Sequence, residues 1–390
     1  MTQRQARFRP GHWLATLLIL AATATPLLAY TPAQGAPALV PADVSAALRR
    51  TADRYRQLQQ QWRPLSGEMP LAPGDRGERV TQLRHLLELY GDYKGTPGPL
   101  PEWVADRQRF DSALQRAVEN YQMRHGLAVT GVAGPATLAA LAVPPKERAR
   151  RLELNASRWD KLSLPADGRY VLVNVPDYRL QLIDKGRVAL SMKIVVGKTS
   201  SRTPELKSRI TNVVFNPTWT VPRNILLTEL LPKARNNPEA MHKRGYRVIN
   251  YRGGDIAPIS DASIARAAEG GATLRQLSGP DNALGKVKFV IPNNQAIFLH
   301  DTLAHSQFAM QERAFSHGCV RLEKPEELAY ALLNSQGWDR TRIAQTATGN
   351  ETLNVRVDKP PRLFITYLTA WVDNEGRPQF RRDIYHLDTP

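Results

Sequence analysis

The chain has 390 residues, 42% of them hydrophobic and 23% charged, with 53 Lys and Arg against 36 Asp and Glu for a formal charge of +17. That length and balance describe a globular chain of two or three domains with a real core. The charge calls for an acidic partner, whether nucleic acid, anionic membrane or a carboxylate-rich wall polymer, and the single cysteine, Cys319, excludes an intrachain disulfide.

Residues 1–29 read as an export signal: Arg4, Arg7 and Arg9 precede an apolar run over 13–29, and small residues and prolines follow. Cleavage after Ala24, Ala29 or Ala36 satisfies the small-residue rule, whereas an uncleaved run would tether the chain to the inner membrane. Either way the remainder is expected in the periplasm or cell wall, which argues against a nucleic-acid partner. Within 30–70, Val44, Leu48, Tyr55, Leu58 and Trp62 predict one amphipathic helix over 41–62, and a Gly/Pro-punctuated linker follows.

Residues 71–142 predict a small all-helical domain. Val80, Leu83, Leu86 and Leu87 mark a first helix; a Gly/Pro loop over 91–101 separates it from a second through Leu114, Ala117, Val118 and Tyr121. Thr137, Leu138 and Leu141 mark a short third. Residues 143–167 form a linker with a connecting helix over 152–159.

From 168 the apolar period changes from helical to two. Val171, Val173 and Val175 alternate with their neighbours, and Leu180, Leu182 and a turn at Asp184-Lys185-Gly186 lead into an apolar run over 188–196. Further strands are expected at 210–215, 287–291, 296–300, 353–357, 363–372 and 380–385. The expectation is a mostly-β domain over 168–358, with 359–390 extending it by further strands, and an α+β chain overall. Residues 223–282 interrupt the strands with helices at 225–234 and 262–268, which predicts a lid capping the substrate site. Trp219 stands where that lid begins, fit either to line the cleft or to join a core.

The chemistry concentrates in Ser316-His317-Gly318-Cys319-Val320-Arg321-Leu322, with His300 fifteen intervening residues upstream. A lone thiol in an exported protein needs a reason to be there. Thiols attack carbonyl carbon as thiolates, with help from a base, positive potential and donors for the oxyanion. Two histidines and a glycine that lets backbone N–H groups approach a substrate supply those parts.

This histidine and Ser-His-Gly-Cys pattern is similar to that of the L,D-transpeptidase catalytic domain family. The glycine, apolar and Gln122 positions of 71–141 resemble the peptidoglycan-binding-like module found beside many wall enzymes. Together with the insertion and the segment bearing Trp371, the chain resembles the larger Gram-negative members that carry a capping subdomain. Phe298 stands where those often have tyrosine, and Arg321 where some relatives have asparagine.

The resemblance implies that Cys319 is the nucleophile and His300 the general base and acid, an imidazole near pKa ~6.5 being suited to both tasks. The main-chain carbonyl of Asp301 would orient that imidazole. The N–H groups of His317, Gly318 and Cys319 would form the oxyanion hole, where one donor is typically worth roughly 3 to 4 kcal/mol. The His317 side chain would stabilise the loop or the thiolate, Ser316 would make a local turn bond, and Arg321 would hold a substrate carboxylate or shape the turn. Phe298 and Trp219 would line the substrate site.

The implied reaction is attack on the third residue of a peptidoglycan tetrapeptide stem, release of D-alanine, and resolution by another stem's amine to give a 3→3 cross-link. Carbapenem-type β-lactams would acylate the same thiol, and no metal or cofactor is called for. Attachment of a protein to the wall, or hydrolysis of that link, would use the same acyl-enzyme with a different acceptor. Two readings of other classes compete. A metallopeptidase could be built on His300, Asp301, His305 and His317, but their spacing fits none of the usual zinc signatures. A non-catalytic wall-binding protein would be expected to lose the thiol or the base, and both are present.

Overall fold

The computed structural model describes residue 39 and residues 41–94, 106–165, 168–250, 254 and 256–388. The expected export signal lies outside these residues, as does part of the predicted Gly/Pro loop. No described helix is long and apolar enough to cross a membrane.

The N-terminal half is helical: α1 (Pro41–Leu58), α2 (Glu78–Tyr90), α3 (Ser112–Arg124), α4 (Pro135–Leu141) and α5 (Pro145–Asp160). Val44, Leu48, Ala52 and Tyr55 put one face of α1 in the core, and α1 packs along α5. Asp111 caps α3 by accepting the Leu114 N–H at 2.8 Å. Gln122 ties α3 to the following turn, its amide nitrogen donating to Val132 O and Thr137 Oγ1 and its oxygen accepting the Thr130 and Gly131 N–H groups. Arg124 pairs with Asp92 at 2.5 Å, both side chains buried, a pair whose single-sided loss would cost about 3–5 kcal/mol.

The second half opens with β1 (Tyr170–Asn174), β2 (Arg179–Asp184), β3 (Arg187–Gly197), β4 (Leu206–Arg209) and β5 (Asn212–Phe215). The inserted unit follows: β6 (Trp219–Thr220), α6 (Arg223–Ile225), a wide π-helical turn (Leu226–Leu230), α7 (Leu231–Asn236), α8 (Pro238–Lys243), β7 (Tyr246–Asn250), β8 (Ile256–Ala257), α9 (Asp261–Glu269) and β9 (Ala272–Gln276). Then come β10 (Val287–Val290), β11 (Leu299–His300), β12 (Ala314–Ser316), β13 (Val320–Leu322), α10 (Pro325–Leu333), α11 (Arg340–Thr348), β14 (Leu353–Arg356), β15 (Arg362–Thr366), β16 (Ala370–Val372) and β17 (Pro378–Phe380).

The main sheet runs β14-β5-β10-β11-β13-β3-β2-β1-β15-β4, with β12 alongside β3. Val171, Leu180, Phe289, Leu299 and Val320 bury its inner face against Leu328 and Leu332 of α10, and Trp338 stacks on Phe215 with centroids 5.3 Å apart. The pairings β1–β15 and β11–β13 are parallel.

Four expectations need revision. The insertion is not helices and loops alone: β6, β9, β7 and β8 form its own four-stranded sheet, and Leu226, Ala234, Val248, Ile264 and Leu274 give it its own core. The predicted strand at 363–372 is two strands separated at Tyr367–Thr369, because Asn174 and Asn155 side chains take the backbone N–H groups of Leu368 and Thr369. The predicted strand at 380–385 ends at Phe380. The C-terminal residues also do more than extend the catalytic sheet. Only β15 joins it; the β16–β17 hairpin drives Ala370, Trp371, Val372 and Phe380 into the helical core of Tyr55, Tyr90, Tyr121 and Trp159. His125 lies between the rings of Tyr121 and Phe380, at centroid distances of 3.8 and 5.2 Å.

Candidate active site

Three adjacent strands build the site. On β11, Leu299 faces Val320 of β13 and His300 faces Arg321; on the other side, His300 is the register partner of Lys288 on β10. Cys319 immediately precedes β13, anchored by the Val320 N–H donating to Phe298 O at 3.1 Å. The thiol is partly exposed and lies 3.8 Å from the Ala296 carbonyl oxygen. Ala296 has a left-handed backbone, φ 55°. Asn293 holds that turn, donating to Ile291 and Ile297 carbonyls and accepting the Gln295 and Ile297 N–H groups.

His300 is buried, and its Nδ1 lies 2.5 Å from the Asp301 carbonyl oxygen. A carbonyl can only accept, so Nδ1 carries the hydrogen and Nε2 keeps its lone pair. The Asp301 carboxylate is engaged elsewhere, accepting the Lys286 N–H at 2.8 Å. It packs so tightly on Gly285 that a Cβ there would stand 2.3 Å from it. Burial, reinforced by Arg321 and Lys288, pushes the imidazole down to about 3 against the pull of the Asp301 and Leu284 carbonyls. That is far below the ordinary value on which the sequence expectation rests. Burial also pushes the Cys319 thiol up to about 11, opposed by the Phe298 backbone, Lys288 and Arg321.

The turn before the thiol is held from several sides. Gly318 has φ 115°, a conformation that a side chain would strain, and a Cβ would meet Ile297 Cδ1 at 3.1 Å. Ser316 Oγ accepts the Gly318 N–H at 3.1 Å and donates to the Cys319 carbonyl at 2.6 Å. The Gly318 N–H is therefore occupied, contrary to its expected place in the oxyanion hole. Among the described residues nothing accepts from the N–H of His317 or Cys319, which leaves those two as donors. Thr203 Oγ1 donates to the Gly318 carbonyl at 2.7 Å and accepts the Gly197 N–H at 2.8 Å. Tyr385 in turn accepts the Thr203 N–H and donates to the Gly197 carbonyl. Because the peptide is planar and trans, fixing the Gly318 carbonyl aims the Cys319 N–H the opposite way.

The inserted unit reaches this turn with a side chain: His317 Nε2 lies 2.6 Å from Glu229 Oε1 on the π-helical turn. Irregular helical turns of this kind recur where a side chain has to be presented to a site. Arg321 donates to Gln307 Oε1 at 2.9 Å, and its buried Nε has no protein partner among the described residues. Phe298 lies beside His300, with ring centroids 5.6 Å apart. Trp219 does not share these contacts. It sits on β6, edge-on to Tyr246, against the lid's own core. Glu229, Lys288, Thr203, Tyr385 and Asn293 went unread in the sequence. Only Lys288 carries a signal there, a cation between the apolar Val287 and Phe289 of a strand. Among the described residues no group of three or more His, Cys, Asp or Glu is placed to hold a metal ion.

A buried neutral imidazole on the strand beside a thiol, with free backbone donors at the thiol's own turn, is the equipment of cysteine acyl transfer. Comparison with known proteins agrees. Residues 168–357 match the L,D-transpeptidase catalytic domain, and residues 76–141 match a domain described as "Putative peptidoglycan binding domain". Residues 168–357 thus carry a domain of the L,D-transpeptidase catalytic kind, and the domain that matches the peptidoglycan-binding description lies ahead of it. It is similar to a Haemophilus influenzae protein named "Putative L,D-transpeptidase", 34% identical over 239 residues, which are 61% of this chain and 48% of that protein. The chain thus spans about half the length of the curated relative it matches. Among solved structures it aligns with an L,D-transpeptidase from Stackebrandtia nassauensis at 15% identity, covering 78% of this chain and 97% of that one, TM-score 0.26. The corresponding figures for one from Xylanimonas cellulosilytica are 15%, 78%, 100% and 0.24. At such scores the alignments add no argument of their own.

Proposed function

We propose that the chain cross-links peptidoglycan stems 3→3 in the periplasm or cell wall. The observation that carries this reading is the pairing of β11 with β13, by which His300 stands on the strand next to the turn that bears the only thiol. As Cys319 Sγ bonds to the carbonyl carbon of the donor stem's third residue, its proton passes to His300 Nε2. The N–H groups of His317 and Cys319 receive the oxyanion. The C–N bond to D-alanine then breaks, the His300 proton goes to the departing amine, and a thioester remains. An amine of a second stem attacks that thioester, returns a proton through His300 and frees the thiol. Gly318 and Ser316 set the turn, Phe298 lines the site, and Arg321 holds a stem carboxylate. Trp219 serves the lid rather than the substrate. The charge of +17 suits a polymer dense in carboxylates.

The nucleophile is tested by intact mass. Protein incubated with a carbapenem gains one covalent adduct and Cys319→Ala gains none; an adduct on the alanine variant refutes the assignment. The acceptor is tested by muropeptide analysis of cells overproducing the protein, in which 3→3 dimers rise. Wall-linked protein without such dimers would show instead that the amine comes from a protein.

A further inference from the structure

We propose that the Lys288 ammonium recognises the terminal carboxylate of the residue that leaves the donor stem. This rests on the transpeptidase reading and adds a specificity-determining residue to it. Lys288, His300 and Arg321 are register neighbours on β10, β11 and β13. Directly paired residues project from the same face, so the three side chains form a row across the sheet with the imidazole in the middle. The Lys288 Nζ lies 4.1 Å from the centroid of Phe298, whose ring is beside His300.

Lys288 is partly buried, yet among the described residues no carboxylate pairs with it and no acceptor takes a hydrogen bond from it. A desolvated cation without a counter-charge is unfavourable, and the arrangement makes sense where the anion arrives with the ligand. Burial draws its pKa below the ordinary lysine value, and the charge in the protein that opposes this is a thiolate at Cys319.

The order of the row decides which anion. The thiol lies at the β13 side, and His300 has to protonate the departing nitrogen, so the leaving residue extends from the thiol past His300. Its carboxylate is on the carbon next to that nitrogen, and the next strand beyond His300 carries Lys288. Arg321, held among the described residues by the neutral amide of Gln307, remains for a carboxylate on the acyl side.

The test measures binding, so that it needs no turnover. In the Cys319→Ala background, calorimetry compares a tetrapeptide stem ending in free D-alanine, its C-terminal amide, and a stem amidated on the side-chain carboxylate of residue three. Lys288 protein is expected to bind the free acid roughly ten- to hundredfold tighter than the terminal amide, the range of a charge-assisted hydrogen bond. Lys288→Gln should bind the two equally, and Lys288→Arg should keep most of the preference. Equal loss on acid and amide overturns the inference, as does a loss that follows the residue-three carboxylate instead. Failure of the wild-type protein to acylate a stem that it binds with this preference would overturn the transpeptidase reading and leave the carboxylate assignment standing.

Discussion

The resting site holds a thiol and a neutral imidazole, not a thiolate and an imidazolium. Cys319 is pushed up to about 11 and His300 down to about 3, burial being the main cause for both, so moving the proton between them before substrate arrives is unfavourable. Attack and proton transfer must then occur together on bound substrate. Alkylation by iodoacetamide, read by mass spectrometry, reports the thiolate directly, and the single cysteine removes any background. At pH 7 an ordinary thiol is about 3% ionised and one with pKa about 11 about 0.01%, so Cys319 should react roughly 300-fold more slowly than a free thiol. Its rate should climb about tenfold per pH unit up to pH 10, with no inflection near neutrality. His300→Gln should leave that slope unchanged, because the neutral ring supplies no charge. A plateau of fast alkylation between pH 4 and 8, abolished by His300→Gln, would refute the reasoning by showing a preformed ion pair.

Buried His125 and His300 both have pKa values below that of an unfolded histidine, burial being the main cause. The unfolded chain therefore binds more protons, and each residue removes stability as pH falls below ~6.5, His300 by about 2 kcal/mol at pH 5. Urea midpoints between pH 6.5 and 5, above the carboxylate range, should fall less steeply for His125→Phe; an unchanged slope would contradict this. Thr203→Val strands the Gly197 N–H and the Gly318 carbonyl and should cost about 2–4 kcal/mol of stability, with acylation slowed mainly in kcat; a pure KM effect would argue against aiming of the Cys319 N–H. Glu229→Ala breaks a partly exposed pair worth up to about 1 kcal/mol. Hydrogen exchange in Leu226–Leu230 should quicken up to about fivefold, whereas no change would mean that the contact does not hold the lid.

Legibility in the sequence followed distance along the chain. The nucleophile turn, its histidine and the period-two strands are local patterns, and the family resemblance rests on the first two. What stayed hidden is what the fold brings together from afar. Thr203 and Tyr385 meet behind Gly318 across 182 residues, and Glu229 reaches His317 across 88, with no periodicity to announce either. The insertion's sheet has a sequence signal: Tyr246 and Val248, like Ala272 and Leu274, recur at a spacing of two and join its core, but the Gly and Asn around them point to loops. The N–H of Gly318 belongs to the right turn for a donor. Only the position of the Ser316 hydroxyl shows that this N–H is already used.

The hairpin seated among the helices also governs the order in which the chain can mature. Asn155 bonds Thr369 across 214 residues and Arg124 reaches the Pro378 carbonyl across 254, so the helical core stays open at the ribosome until the hairpin has been made. A nascent chain stalled before residue 370 would leave Tyr55, Tyr121 and Trp159 without their hairpin partners, and a stop codon or bulky tag placed there would damage helices translated long before it.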